Sequence, residues 1–289
     1  MSVDTLSIVV KAIGYIALLQ AAGIALFRAA FGSLLDRSSA HIRTMGTASA
    51  LIALVAFPFY QLLEAARMTG EYADAMNAGL QLGLLGKGLG AATGLRVLGA
   101  ALMCAGVRRA TAGWTLVGVM GASLAISSFL LVGHSVTQAP RWAIVPMLEF
   151  HLLVAAFWFG SIAPMIAVAT REPAVVSHQI VDRFSSVAGL LVPALAVVGV
   201  GMAWLLIGGS YSLSDPYSLA ITGKLLLFVV LLALAALNRW RLGPALRSGT
   251  PQARRSFVKS LVFEYALLVG VLALTAALTN LYSPALPGS

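Results

Sequence analysis

The chain has 289 residues, of which 60% are hydrophobic and only 10% charged, with a mean hydropathy of +0.92. That balance lies outside the range of soluble domains and describes an integral membrane protein, while the absence of strand alternation excludes a transmembrane barrel. The net charge of +9 does not point to nucleic acid, because the basic residues sit in short loops between apolar runs, where the positive-inside rule puts them.

A span needs roughly 20 apolar residues. The first is expected from about Leu6 to Phe31, interrupted by Lys11, Gln20 and Arg28. Asp4 and the lack of a basic leader ahead of it predict a retained span rather than a cleaved signal peptide. After the loop Asp36–Arg43 a second span runs from about Met45 to Leu63, with Pro58 inside it, and the polar connection Glu64–Asn77 follows. The third, about Gly88 to Val107, is rich in small residues that allow close helix contact. The fourth runs from about Trp114 to Val132 and the fifth from about Ile144 to Ala169, ending at the polar stretch Arg171–Arg183. The sixth covers about Val187 to Ile207, before the turn-rich Gly208–Pro216, the seventh about Tyr217 to Leu237 and the eighth about Leu261 to Tyr282. The expected fold is all-α: a polytopic bundle of about eight transmembrane helices in a single domain spanning 1–289.

Lys and Arg alternate by loop. Arg37 and Arg43, Arg108 and Arg109, Arg171 and Arg183, and the run from Arg239 to Lys259 fall on one side, while the other side carries little beyond Arg67, Lys87 and Arg141. The positive-inside rule then puts both termini outside, in the periplasm of a bacterium, and with them the connection between the fourth and fifth spans. Cys104 is the single cysteine, which excludes an intrachain disulfide and zinc sites built from paired cysteines.

Residues 129–160 hold the candidate chemistry. His134 ends the fourth span and His151 lies inside the fifth. Met147, His151 and Trp158 are four and seven residues apart, so they share one helix stripe, whereas Glu149 points elsewhere. Imidazole and thioether are ligands that suit Cu(I). If the fifth helix starts at Pro146, His151 lies about 7 Å along it and faces His134; if it starts near Trp142, the depth is about 13 Å and the two become successive stations. Arg96, Lys224, Glu149 and Glu264 are charges within spans and call for partners; we expect Lys224 or Arg96 to pair with Glu149. His41 and His178 fall in basic loops and read as solvated or headgroup-facing. Trp114 and Trp142 read as interfacial anchors, and methionines on both halves of the spans (Met68, Met76 and Met147; Met45, Met103, Met120 and Met165) form either a path of soft donors or ordinary core filler.

Several motifs are similar to those of the copper resistance protein D (CopD) family of bacterial inner-membrane proteins: G-H-S at Gly133–Ser135, H-x6-W-F-G at His151–Gly160, R-F-S at Arg183–Ser185, and K-L-x-L at Lys224–Leu227 with Asn238, Arg239 and Pro244 beyond it. The resemblance is strongest over about 130–245 and reaches the N-terminal half only through hydropathy and Arg96. It implies copper movement across the inner membrane, as uptake from periplasm to cytoplasm, with weight on His134 and His151 and with a separate periplasmic CopC-like copper-binding protein as partner. An alternative is a b-type haem protein with the same two histidines as axial ligands; a further one is a copper sensor that transports nothing. No enzymatic activity is expected, and no Walker A sequence is present.

Overall fold

A computed structural model describes residues 1–86, 88–109, 111–132, 141–207 and 216–281. Its helices are α1 (Val3–Phe31), α2 (Ser39–Thr69), α3 (Ala78–Gly86), α4 (Leu89–Arg108), α5 (Ala112–Ser127), α6 (Arg141–Arg171), α7 (Ala174–Ile207), α8 (Pro216–Leu237) and α9 (Pro251–Leu281). All but α3 are long and apolar enough to cross a membrane, so eight candidate spans are present, and no strand occurs among the described residues.

Hydropathy located the lipid-embedded parts but underestimated the helices. α2, α6 and α9 have 31 residues each, about 46 Å at the helical rise against a hydrocarbon core of about 30 Å. The extra turns run into water, where charge costs nothing. Arg171–Arg183, expected as a loop, is instead mostly the first turns of α7, and Pro251–Ser260 opens α9. His41 and His178 are therefore helical: His41 is exposed beside Arg171, and His178 is half-buried and accepts from Arg247 Nε.

α1 is the central helix and contacts α2, α4, α5, α6 and α9. It is welded to α6 by glycines: a Cβ on Gly23 would lie 2.1 Å from the Ala156 carbonyl oxygen, and one on Gly160 would lie 2.5 Å from Gly23 Cα. Pro164 has no N–H to offer the Gly160 carbonyl four residues before it, and Gln20 Nε2 fills the vacancy at 2.9 Å. α4 and α5 meet through Gly99 against Gly121 and Gly106 against Gly118, the close contact that the small residues of the third span led us to expect.

Each end of the bundle is closed by polar groups. At the end carrying the N-terminus, Arg67 bonds Asp4 (3.0 Å), Glu64 (2.7 Å) and the Asn280 carbonyl (3.1 Å), tying α1, α2 and α9 together. At the opposite end, which holds most of the arginines, Arg28 donates to the last carbonyls of α4 at Gly106, Val107 and Arg109. There Glu172, between α6 and α7, accepts from Asp36 N (3.1 Å), Ser38 N (2.8 Å) and Ser38 Oγ (2.6 Å) at the start of α2. Burial pushes this carboxyl up, but the donors of Ser38, Asp36 and Arg37 outweigh it and hold the acid below its usual range.

Candidate functional site

α6 begins at Arg141, with Pro146 inside it, so His151 lies ten residues in, about 15 Å along the axis. The shorter depth that would have faced it directly to His134 is not realised. His134 itself, with Gly133 and Ser135, lies outside the described residues.

The stripe on α6 is continuous. Met147, His151, Trp158 and Met165 follow at spacings of four, seven and seven, all on one side of the helix. Its part nearest the start of α6 meets α7 where that helix has no side chains: a Cβ on Gly201 would lie 2.9 Å from Met147 Cε, and one on Gly199 would lie 3.4 Å from His151 Cε1. His151 Nδ1 is buried with no hydrogen-bond partner, and Lys224 on α8 stands close enough to act on the imidazole electrostatically. A buried ring nitrogen without a partner is a ligand position in search of a cation or a donor.

Farther along the stripe, Trp158 Nε1 donates to Glu264 Oε1 of α9 at 2.7 Å, and Asn238 Nδ2 donates to Glu264 Oε2, also at 2.7 Å. Asn238 opens a π-helical turn, Asn238–Leu242, at the end of α8, a local irregularity that frequently accompanies function. These groups line a cavity of about 490 Å³ together with Met165, Ser185 and Arg239. Arg239 lodges against Gly189 and donates to the Ser185 carbonyl.

The expected ion pairs are not made. Glu149 accepts from Ser127 Oγ at 2.8 Å, and Arg96 Nε donates to Ser128 Oγ at 3.1 Å, so the two charges are served by adjacent serines rather than by each other. The Arg96 guanidinium is only 3% exposed and lies between the rings of Phe57 (4.8 Å) and Phe129 (4.6 Å). The aromatic faces do the work assigned to a carboxylate. No ion pair joins Lys224 to Glu149 either, among the described residues; Lys224 belongs to the surroundings of His151. The methionines form no single path: Met103 is buried in the core, Met120, Met68 and Met76 are exposed, and Met147 and Met165 alone share the stripe. Among the described residues no group of three or more His, Cys, Asp or Glu gathers at one point.

Two family models match the chain: "Copper resistance protein D-like, N-terminal domain" over residues 1–141 and "Copper resistance protein D" over residues 178–278. The chain belongs to the copper resistance protein D family. Membership makes it a multi-pass membrane protein of copper resistance or transport, in a family not known for enzymes. No curated protein and no solved structure matches it.

The CopD matches also redistribute the resemblance. The N-terminal half, which the motifs barely touched, is matched throughout, Arg96 included. Lys224, Asn238, Arg239 and Glu264 fall within the second match, while α6, with Met147, His151 and Trp158, lies almost wholly between the two. Glu264 was legible only as a charge in need of a partner. Its link to Trp158, 106 residues away, had no local signal in the sequence.

Proposed function

We propose that the chain takes up copper across a bacterial inner membrane, with both termini periplasmic and Cu(I) as the transported species. The observation that carries this reading is the stripe on α6, which runs from a thioether and an imidazole whose Nδ1 has no hydrogen-bond partner, both packed against bare α7 backbone, to a mostly apolar cavity lined by Trp158, Asn238 and Glu264. Met147 and His151 supply soft and borderline donors that suit Cu(I), and His134 is the preceding station at the outer mouth. Gly199 and Gly201 let Met147 and His151 pack directly against the backbone of α7. Lys224 keeps the site weak by placing a positive charge near the cation, which transit requires, since a cation held too tightly does not leave. A separate CopC-like protein delivers the ion, and copper is cargo rather than a resident cofactor.

Copper accumulation in cells, compared among wild type, His134→Ala, His151→Ala and the double variant at equal membrane expression, tests this. Accumulation is expected to fall in each single variant and to reach the vector background in the double. Normal accumulation in the double variant would refute the assignment. An absorption spectrum of the purified protein without a Soret band, with copper found by elemental analysis, separates transport from the haem alternative.

A further inference from the structure

We propose that the cavity beside Trp158 is a site for a single hard positive charge, taken up either as Na⁺ or as a proton on Glu264. The site stands on its own geometry, independent of the copper reading. Glu264 is 3% exposed, midway along a helix that crosses the membrane, and has no ion-pair partner among the described residues. Its two hydrogen bonds come from neutral N–H groups, which orient a carboxylate without neutralising it. A carboxylate held so deep in a bilayer calls for a counter-charge.

A second acceptor waits beside it. Because Glu264 takes the Nδ2 end of the Asn238 amide, the Oδ1 end is fixed on the other side, and it is buried without any donor, on a residue only 8% exposed that forms part of the cavity wall. Oxygen acceptors without donors select hard cations. The backbone around them is irregular on the side of α8, through the π-helical turn, and α7 carries Pro193, which lacks a backbone N–H, on the same wall. The other charged group on the wall, Arg239, is half-buried, donates to the Ser185 carbonyl and makes no ion pair with Glu264 among the described residues. A single added charge therefore satisfies Glu264; a divalent ion would leave an excess of positive charge beside Arg239.

The test uses the full chain in lipid nanodiscs without copper, so that it does not depend on the transport reading. Thermal stability is followed as choline is replaced by Na⁺ at constant ionic strength and pH 8, and the infrared carboxyl band is followed from pH 5 to 9, for wild type, Glu264→Gln, Asn238→Leu and Asn238→Asp. A rise of several degrees with Na⁺ in wild type, absent in Glu264→Gln and Asn238→Leu and retained in Asn238→Asp, identifies Na⁺. No Na⁺ response but a titrating carboxyl band that Glu264→Gln deletes identifies the proton. Absence of both a Na⁺ response and such a band overturns the proposal. Retained far-ultraviolet circular dichroism separates loss of the site from loss of the fold.

Discussion

Replacing Gly160 by alanine tests whether the position of α6, and so of the whole stripe, is set by backbone contact with α1. The new Cβ would lie 2.5 Å from Gly23 Cα, 2.9 Å from the Leu19 carbonyl oxygen and 3.0 Å from Gly23 N. All three are backbone atoms, which cannot rotate away, and carbon atoms make contact at about 3.5–4.0 Å. The helices must therefore part by about 1 Å. Overpacking of this kind costs about 1–3 kcal/mol, and the same shift carries the Gln20 Nε2 bond to the Gly160 carbonyl from 2.9 Å out of range, a further loss of about 1 kcal/mol. The expected total is about 3 kcal/mol. Gly94→Ala is the control: its Cβ meets nothing within 4 Å, and alanine favours a helix over glycine by about 1 kcal/mol. In one detergent, Gly160→Ala and Gly23→Ala are expected to unfold roughly 5–10 °C below wild type and Gly94→Ala at or slightly above it. If Gly160→Ala and Gly23→Ala unfold within about 1 °C of the control, helix contact through these glycines is not what fixes α6.

Three other outcomes are expected. Lys224→Met removes a cation near His151 and should tighten Cu(I) binding in a chelator competition by on the order of tenfold, from Coulomb repulsion at an effective dielectric of about 20, with no such gain in a His151→Ala background. Glu172→Gln should lower stability at neutral pH by about 2 kcal/mol, since the hydrogen bonds from Asp36 and Ser38 lose their charge assistance. The folded-state acid titrates below its unfolded range, so its stabilisation is complete above that range and disappears as pH falls through the folded value; melts of wild type and variant should converge there and separate above. Phe129→Leu removes one of the two faces holding the Arg96 guanidinium and should cost about 2 kcal/mol, more than Leu98→Ala on the exposed side of α4, the helix that carries Arg96.

How far the chain could be read from its residues differs between levels. The spans were legible because a run of apolar side chains is a local property, and α4 was placed within a residue at each end. Helix ends were not, because hydropathy reports where lipid stops and not where hydrogen bonding stops: the arginines of α9 lie on helix as regular as its apolar core. The start of α6 turned on Pro146, which is tolerated within the helix as well as at its first turn, so composition alone left both alternatives open. The partners of buried charges were the least legible. Glu149 was expected to pair with Lys224 or Arg96, yet Ser127 serves Glu149 and Phe57 and Phe129 hold Arg96; two rings in two distant segments leave no trace that sequence spacing can show.

The arrangement of rigid and yielding parts follows from the same contacts. α6 is fixed on one side by Gly23, Gln20 and the α1 core, and two-thirds of its most apolar window is buried, 67%, as in α1 itself. α7 and α8, which face the stripe from the other side, bury only 11% of theirs. Both also carry backbone defects, Pro193 in one and the π-helical turn in the other. Few buried contacts and interrupted hydrogen bonding mark the segments that open at least cost. The stripe on α6 thus lies between one wall that holds its side chains in register and one that can give way. Amide exchange should accordingly be faster over 189–207 and 222–242 than over 150–168, and the difference should narrow in Gly160→Ala, where the fixed wall has lost its weld.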